Sequence, residues 1–204
     1  MKKYFLILIF ISTVTTFVFS STCLSPKTNK STFDFISVLL KRYNDSGFQV
    51  FFGDEIENSE FSELIKKINA TRKWGEYDED VIANKSRTLV LYRNNVPVAY
   101  ISYVDNGHVD LIATDKNANI NSGVLYLILE LVDHFGSIGI TKLTLHYREE
   151  NFRLKSLYFR LFKFVKLLYG PVQVDMYPNG DKKMRAELDI SELYAIKKML
   201  SVST

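Results

Sequence analysis

The apolar positions of the chain change between helical and extended spacing along its length. In residues 58–69 they recur three and four positions apart, which predicts an amphipathic helix with Asn58 or Ser59 as its N-cap. The same spacing predicts a first helix over 33–43, and the aromatic-rich run at 48–54 predicts a strand between the two helices. The apolar positions of the 58–69 helix are Phe61, Leu64, Ile65 and Ile68.

Three β-rich runs follow a polar and aromatic segment at 71–87, which we predict to be a loop with a short helical turn. Asn94 and Asn95 separate the first two runs, and asparagine tolerates the positive φ of a tight hairpin turn. A second turn, DNG at 105–107, leads into the third run, so the pattern predicts an antiparallel meander. The runs are TLVLYRN (88–94), VAYISYV (98–104) and HVDLIAT (108–114).

The spacing becomes helical again after the meander, and strands and helices then alternate to the end of the chain. Such an order predicts a mixed sheet covered by helices. The predicted elements of this part are a helix at 124–135, a strand at 141–147, a helix at 151–164, a strand at 164–170 that Pro171 breaks, extended segments at 172–177 and 183–190, and a helix at 191–200.

The composition is that of an ordinary globular protein. The chain has 204 residues, of which 47% are hydrophobic and 24% charged, enough for one well-buried domain. Its net charge is +3 and its 26 basic residues are scattered, so no nucleic-acid-binding surface is predicted. The spacing of metal ligands and the Walker-type phosphate loop are both absent from the sequence. The single cysteine, Cys23, excludes an internal disulfide.

The first 23 residues have the order of an export leader. Two lysines precede an apolar run from Tyr4 to Phe19, and small residues follow it, which predicts a signal peptide over 1–23 and an exported protein. Cys23 resembles the acylated cysteine of bacterial lipoproteins, so membrane attachment through the leader or Cys23 is one alternative; plain secretion with an incidental cysteine is the other. A further alternative is an uncleaved leader that anchors the protein with its domain in the cytoplasm; basic residues flank the apolar run on both sides, so the positive-inside rule does not fix this orientation. Residues 24–47 are predicted to form a spacer and the first helix.

Three stretches of the chain resemble the GNAT superfamily of acyl-CoA-dependent N-acyltransferases. The first, HVDLIATDKNANINSGVLYLILELVDHFG, has the shape of the family's fourth strand, phosphate loop and long helix. The second is GITKL in the following strand, and the third is NFRLKSLYFRLFK, in which Asn151, Leu157, Tyr158 and Leu161 match the family pattern. The resemblance implies an α/β (α+β) domain over 48–204, with a mixed, mostly antiparallel sheet of six to seven strands flanked by helices.

The resemblance also implies acetyl-CoA as cosubstrate and an unidentified amine as acceptor. Backbone N–H groups at a helix start suit the pyrophosphate of coenzyme A, because they are unpaired and carry partial positive charge. By the resemblance, the strand end holds the pantetheine arm, Asn151 contacts the cofactor and Tyr158 protonates the leaving thiolate. The cofactor residues so implied are Ile112, Ala113, Thr114, Asn119, Asn121, Ser122, Gly123, Val124, Leu125 and Asn151.

The phosphate loop of this chain departs from the family pattern. In one register Asn119 occupies the basic position and both motif glycines are replaced, with Gly123 nearby; in the register shifted by one, Gly123 takes the first glycine position and Ile120 the basic one. A noncatalytic, exported or lipid-anchored protein that keeps the fold as a binding or structural module is therefore the alternative function. An export leader agrees with this alternative, because acetyl-CoA is expected in the cytosol. An exported acetyltransferase would still meet acetyl-CoA if it were delivered into the cytosol of another cell. An anchored protein would meet acetyl-CoA if its domain stayed in the cytoplasm.

An amine acceptor has to lose a proton, so a general base is expected near the acetyl group. His108 begins the predicted fourth strand, where many of these enzymes carry a glutamate, and its side chain type titrates near neutral pH. The alternative for His108 is a solvated histidine beside the DNG turn. Further candidates for the base are Asp110, His146 and Glu150. Trp74, Tyr77 and the acidic run 78–80 lie where such enzymes bind the acceptor, or form a solvated loop.

Overall fold

A computed structural model of the chain describes residues 30–44, 46–71, 78–118, 123–161 and 165–202. The predicted leader at 1–23 with Cys23 and most of the predicted spacer lie outside these ranges. Trp74 and Tyr77 of the predicted acceptor segment also lie outside them. The same holds for three residues of the predicted phosphate loop, Asn119, Asn121 and Ser122.

In these ranges seven strands form one mixed sheet, in the order β1-β2-β3-β4-β5-β7-β6. Neighbouring strands are antiparallel except β4 and β5, which are parallel. The predicted sheet type is thereby confirmed. The strands are β1 (Phe48–Phe52), β2 (Thr88–Arg93), β3 (Val96–Val104), β4 (His108–Thr114), β5 (Lys142–Arg148), β6 (Lys166–Met176) and β7 (Lys182–Asp189).

Helices cover both faces of this sheet. They are α1 (Lys30–Asn44), α2 (Asn58–Ala70), α3 (Asp78–Ala83), α4 (Gly123–Ser137), α5 (Phe152–Leu161) and α6 (Ser191–Val202). The predicted loop at 71–87 contains α3 as its short helical element, followed by a 3₁₀ turn at Lys85–Arg87. Within the described residues, no helix combines the length and apolar character that crossing a bilayer requires.

The buried apolar residues form two cores, one on each face of the sheet. The first core lies under α1, α4 and α6 and includes Leu127 and Phe135, which are fully buried. The second core lies under α2 and α3 and includes Phe61 and Ile65. Of the residues that the structure describes, its strand members come from β1 to β4 and from no later strand, so the second face of β5 and β7 extends beyond this core.

Two predicted details of these elements are wrong. The N-cap of α2 is Glu57, whereas Asn58 and Ser59 are already helical. The Asn58 side chain is used elsewhere, because its Oδ1 accepts a hydrogen bond from Lys85 Nζ at 2.7 Å. Pro171 does not end a strand: β6 continues through it, with irregular register on either side. An edge strand tolerates proline because the missing N–H would have faced outward.

A buried polar network fixes α3 against the second core. The Tyr100 hydroxyl donates to Asn69 Oδ1 at 2.8 Å, and Asn69 Nδ2 donates to Asp78 at the start of α3. Asn69 and Tyr100 are almost completely buried, so leaving either without its partner would cost free energy. The network therefore holds α3, with Asp80 and Val81, beside β4.

Gly107 joins the turn before β4 to the start of β5. Its φ is +87°, and its carbonyl accepts a hydrogen bond from Thr144 N at 2.8 Å. A Cβ on Gly107 would lie 2.1 Å from the carbonyl oxygen of Lys142. Glycine is therefore required at this position for two reasons: the positive φ and the lack of space for a Cβ.

We expect Gly107→Ala to lower the free energy of unfolding by about 3 kcal/mol, as judged from urea unfolding. Gly180→Ala is the matched control, because Gly180 has φ +86° and nothing within 4 Å of the added Cβ. The control carries only the φ strain, about 1 kcal/mol. Equal losses in the two variants would contradict the contact with Lys142.

Candidate active site

Strands β4 and β5 separate soon after they begin. Their only paired residues are His108 with Thr144 and Val109 with Leu145. The register of β4 against β3 shifts at this point, so that Asp110 is an extra residue in β4. Such a bulge bends its strand and increases the local twist. The rest of β4 therefore diverges from β5 and leaves a gap in the sheet.

A cavity of about 300 Å³ occupies this gap. Consecutive residues of each strand line it, and consecutive residues of a strand point to opposite faces. Val109 and Tyr147 belong to the first core, whereas Leu111 packs on the second. The cavity thus passes through the sheet. Its lining residues are Asp80, Val81, His108, Val109, Asp110, Leu111, Ile112, His146, Tyr147, Arg148, Asn151, Tyr158, Tyr177 and Lys183.

Tyr158 lies on α5 at the first-core side of the cavity. The residue is fully buried, and its ring meets the Tyr147 ring edge-on with centroids 5.3 Å apart. Burial raises the pKa of the Tyr158 hydroxyl well above its ordinary value of 10, and the neighbouring Tyr177 and Tyr147 raise it further. The phenol is therefore protonated at neutral pH and able to donate a proton.

Asn151 connects β5 to α5 at the same side. Its carbonyl accepts the Lys155 N–H at 2.9 Å, which makes Asn151 the N-cap position of α5. The half-buried side chain of Asn151 lines the cavity. One short connection thus places Asn151 and Tyr158 on the same cavity wall.

Two histidines lie together on the second face. The rings of His108 and His146 meet edge-on, with centroids 4.7 Å apart. Burial lowers the pKa of both, that of His146 to about 4, where His108, Lys183 and Arg185 add to the effect. Asp110 opposes the lowering for His108. Both rings are therefore neutral at pH 7, and a neutral imidazole can accept a proton.

Arg148 is held in place at the end of β5. Its guanidinium donates to Asp181 at 2.9 Å and to Asn179 at 2.8 Å, and it lies 3.8 Å from the centre of the Tyr177 ring. Asp181 and Asn179 belong to the turn between β6 and β7. These contacts fix the turn, and with it Tyr177, against the cavity.

Solved acetyltransferases have the same architecture. Comparison with the ribosomal-protein-S18-alanine N-acetyltransferase from Escherichia coli gives a TM-score of 0.56 at 17% identity, over 71% of this chain and 94% of that enzyme. A GNAT-family acetyltransferase from Bacillus cereus gives 0.56 at 11% identity, over 70% and 96%. The yncA protein from Salmonella typhimurium, solved with its cofactor acetyl-CoA, gives 0.51 at 13% identity, over 72% and 95%. This chain has the GNAT fold. No protein-family profile and no curated protein sequence matches it.

The GNAT fold brings four of the predicted site residues together. His108, Ile112, Asn151 and Tyr158 all line the cavity, although 50 residues separate the first from the last in sequence. Ala113 packs into the second core, and Thr114 ends β4 opposite Ala99, outside the cavity lining.

The start of α4 lies apart from the described cavity lining. Gly123 is the first residue of α4, and the side chains of Val124 and Leu125 are buried in the first core. Their backbone N–H groups belong to the first turn of the helix, where such groups have no intrahelical partner. Any contact of these residues with a phosphate would therefore come from the backbone.

Several lining residues were not predicted as site residues. Tyr147, Arg148, Tyr177 and Lys183 come from β5 and from the β6–β7 hairpin. The alternation of β5 indicates that His146 and Arg148 share a face, but nothing in the sequence places β7 next to β5. The proximity of Lys183 to the two histidines therefore cannot be predicted from the sequence and is seen only in the structure.

Proposed function

We propose that the protein is an N-acetyltransferase that moves an acetyl group from acetyl-CoA to an amine. The observation that carries this proposal is the cavity through the sheet between β4 and β5, with Asn151 and Tyr158 on one wall. The GNAT fold supports it, as does the acetyl-CoA bound in the Salmonella typhimurium protein of the same fold.

The separated part of β4 suits the pantetheine arm of the cofactor. From Asp110 onward β4 has no ladder partner on β5, so backbone groups on this edge can pair with the amides of pantetheine, as an added strand would. Ile112 gives this edge an apolar side chain. The start of α4, from Gly123 to Leu125, supplies backbone N–H groups for the pyrophosphate, and Asn119, Asn121 and Ser122 complete the proposed phosphate site.

The two sides of the cavity supply the two proton transfers. The amine nitrogen bonds to the thioester carbonyl carbon, and the carbon–sulfur bond breaks when the tetrahedral intermediate collapses. His108, neutral at pH 7, takes the proton that the amine loses. Tyr158 gives its hydroxyl proton to the leaving thiolate and regains one from solvent after the products leave.

Acetyl-CoA is expected to stabilise the full-length protein against heat. A ligand at about 100 times its dissociation constant adds roughly 2.7 kcal/mol of stability, which a thermal unfolding scan detects as a raised Tm. ATP is the control, since it has an adenine nucleotide and phosphates but no pantetheine arm. A chain that millimolar acetyl-CoA does not stabilise would instead fit a noncatalytic module with the GNAT fold.

A further inference from the structure

Lys183 lies at the second-face side of the cavity beside the two histidines. Leu188 of β7 is buried in the first core and Met184 packs against that core, so Lys183, at the opposite parity, points to the other face. The β5 residue opposite it is Arg148, and the next pair along the ladder is His146 with Arg185. Lys183 lines the cavity and is half-buried.

Within the described part of the chain Lys183 forms no ion pair, unlike the cations around it. Lys182 binds Glu149 at 3.2 Å, Lys142 binds Glu187 at 2.8 Å and Arg148 binds Asp181 at 2.9 Å. Arg185 also pairs with Glu187. Among the described residues, no carboxylate lies within ion-pair distance of Lys183, whose Nζ is 5.8 Å from the centre of the Tyr177 ring. A half-buried ammonium beside a cavity and without a carboxylate favours an anion from outside the chain.

The position of Lys183 separates this anion from the cofactor phosphates. The start of α4, where the pyrophosphate is proposed to bind, belongs to the first-core face. Lys183 lies on the opposite face, with the sheet between them. His108, the proposed base that contacts the amine, is on the same side as Lys183, because each precedes in its strand a residue that faces the first core, Val109 and Met184 respectively.

We propose that Lys183 binds an anionic group of the acceptor, so that the acceptor is an amine that also carries a carboxylate or a phosphate. The assignment of this anion to the acceptor rests on the proposed acetyltransferase function. The presence of an anion site at Lys183 is independent of that function.

The anion site is tested by histidine NMR on the full-length protein. The chain has three histidines, of which His108 and His146 lie beside Lys183, while His134 bonds to Tyr103 on the other face and serves as an internal control. Acetate and inorganic phosphate are titrated at constant ionic strength and pH. We expect saturable changes in the His108 and His146 signals with the preferred anion, and none in His134.

Two neighbouring lysines give a matched pair of variants. Lys183→Gln should abolish the saturable changes, whereas Lys182→Gln, which removes an exposed lysine paired with Glu149, should retain them. Unchanged histidine signals in the wild type, or equal responses in both variants, would overturn the anion site. The probe that saturates at the lower concentration distinguishes a carboxylate from a phosphate.

The acceptor class is tested with pairs of amines that differ in charge. Glutamate is compared with glutamine, and O-phosphoserine with serine, using acetyl-CoA and the full-length protein. A charge-assisted contact of about 1.5 kcal/mol predicts a preference for the anionic member of roughly tenfold in kcat/KM, lost in Lys183→Gln and kept in Lys182→Gln. Acetylation of both members of a pair at equal kcat/KM would contradict the proposed acceptor class but not the proposed acetyltransferase function.

Thermal unfolding with acetyl-CoA separates the remaining outcomes. Lys183→Gln should leave the acetyl-CoA-induced rise in Tm unchanged. If the variant loses this rise in Tm, Lys183 binds an anionic group of the cofactor, and the inference is overturned. If acetyl-CoA neither stabilises the wild type nor is consumed, the proposed function fails and so does the acceptor assignment. The histidine titration then still decides whether Lys183 binds an anion.

Discussion

Replacing Tyr158 by phenylalanine is expected to lower kcat by roughly 100- to 10,000-fold while leaving the affinity for acetyl-CoA nearly unchanged. The substitution removes only the hydroxyl from a fully buried side chain and keeps the ring that packs on Tyr147. Because the raised pKa keeps the phenol protonated, its loss removes a proton donor and little else. Single-turnover measurement with acetyl-CoA separates this effect on chemistry from product release.

Tyr103→Phe is the matched control for this variant. Tyr103 is also buried, and its hydroxyl lies 3.2 Å from His134 Nε2, away from the cavity. Its removal should cost about 1 kcal/mol of stability with no change in turnover. Turnover by Tyr158→Phe that equals the wild type would eliminate the proposed acid.

Replacing His108 by glutamine is expected to lower kcat/KM by about 100- to 10,000-fold, since a general base contributes that much. The pH profile gives a second readout. Burial lowers the pKa of His108, so the neutral base persists below its ordinary value of 6.5, and wild-type activity should fall only as pH drops through that lowered pKa. The variant should lack this acid limb.

Two further histidine variants sharpen this test. His134→Gln should leave the profile unchanged, because His134 lies on α4 against Tyr103 and outside the cavity lining. His146→Gln decides between the paired rings. If that variant, rather than His108→Gln, loses the acid limb, His146 is the base and the assignment of His108 is wrong.

Much of the fold follows from local patterns in the sequence. The meander of β2, β3 and β4 has strict turn signals, and the structure confirms them: Asn94 and Asn95 have φ of 51° and 63°. The α4 pattern is confirmed because its apolar residues face one core. The GNAT resemblance of residues 151–163 singles out Asn151 and Tyr158, and both residues line the cavity.

The rest depends on pairings that leave no local signal. The insertion of β7 between β5 and β6 brings Lys183 to Arg148, a contact between residues far apart in sequence. The bulge at Asp110 opens the cavity, yet no residue type marks it, since it depends on the register against β3. The sequence predicts a strand break at Pro171, because it does not show that β6 lies at the edge of the sheet, where proline is tolerated.

The passage of the cavity through the sheet has a consequence for the order of chemical events. Under the proposed function, acetyl-CoA would approach from the α4 side and the amine from the α3 side, and the two would meet across the thickness of a single backbone layer. Neither reactant has to vacate its position for the other. The proposed function therefore favours direct transfer within a ternary complex, in which no side chain carries the acetyl group as a covalent intermediate.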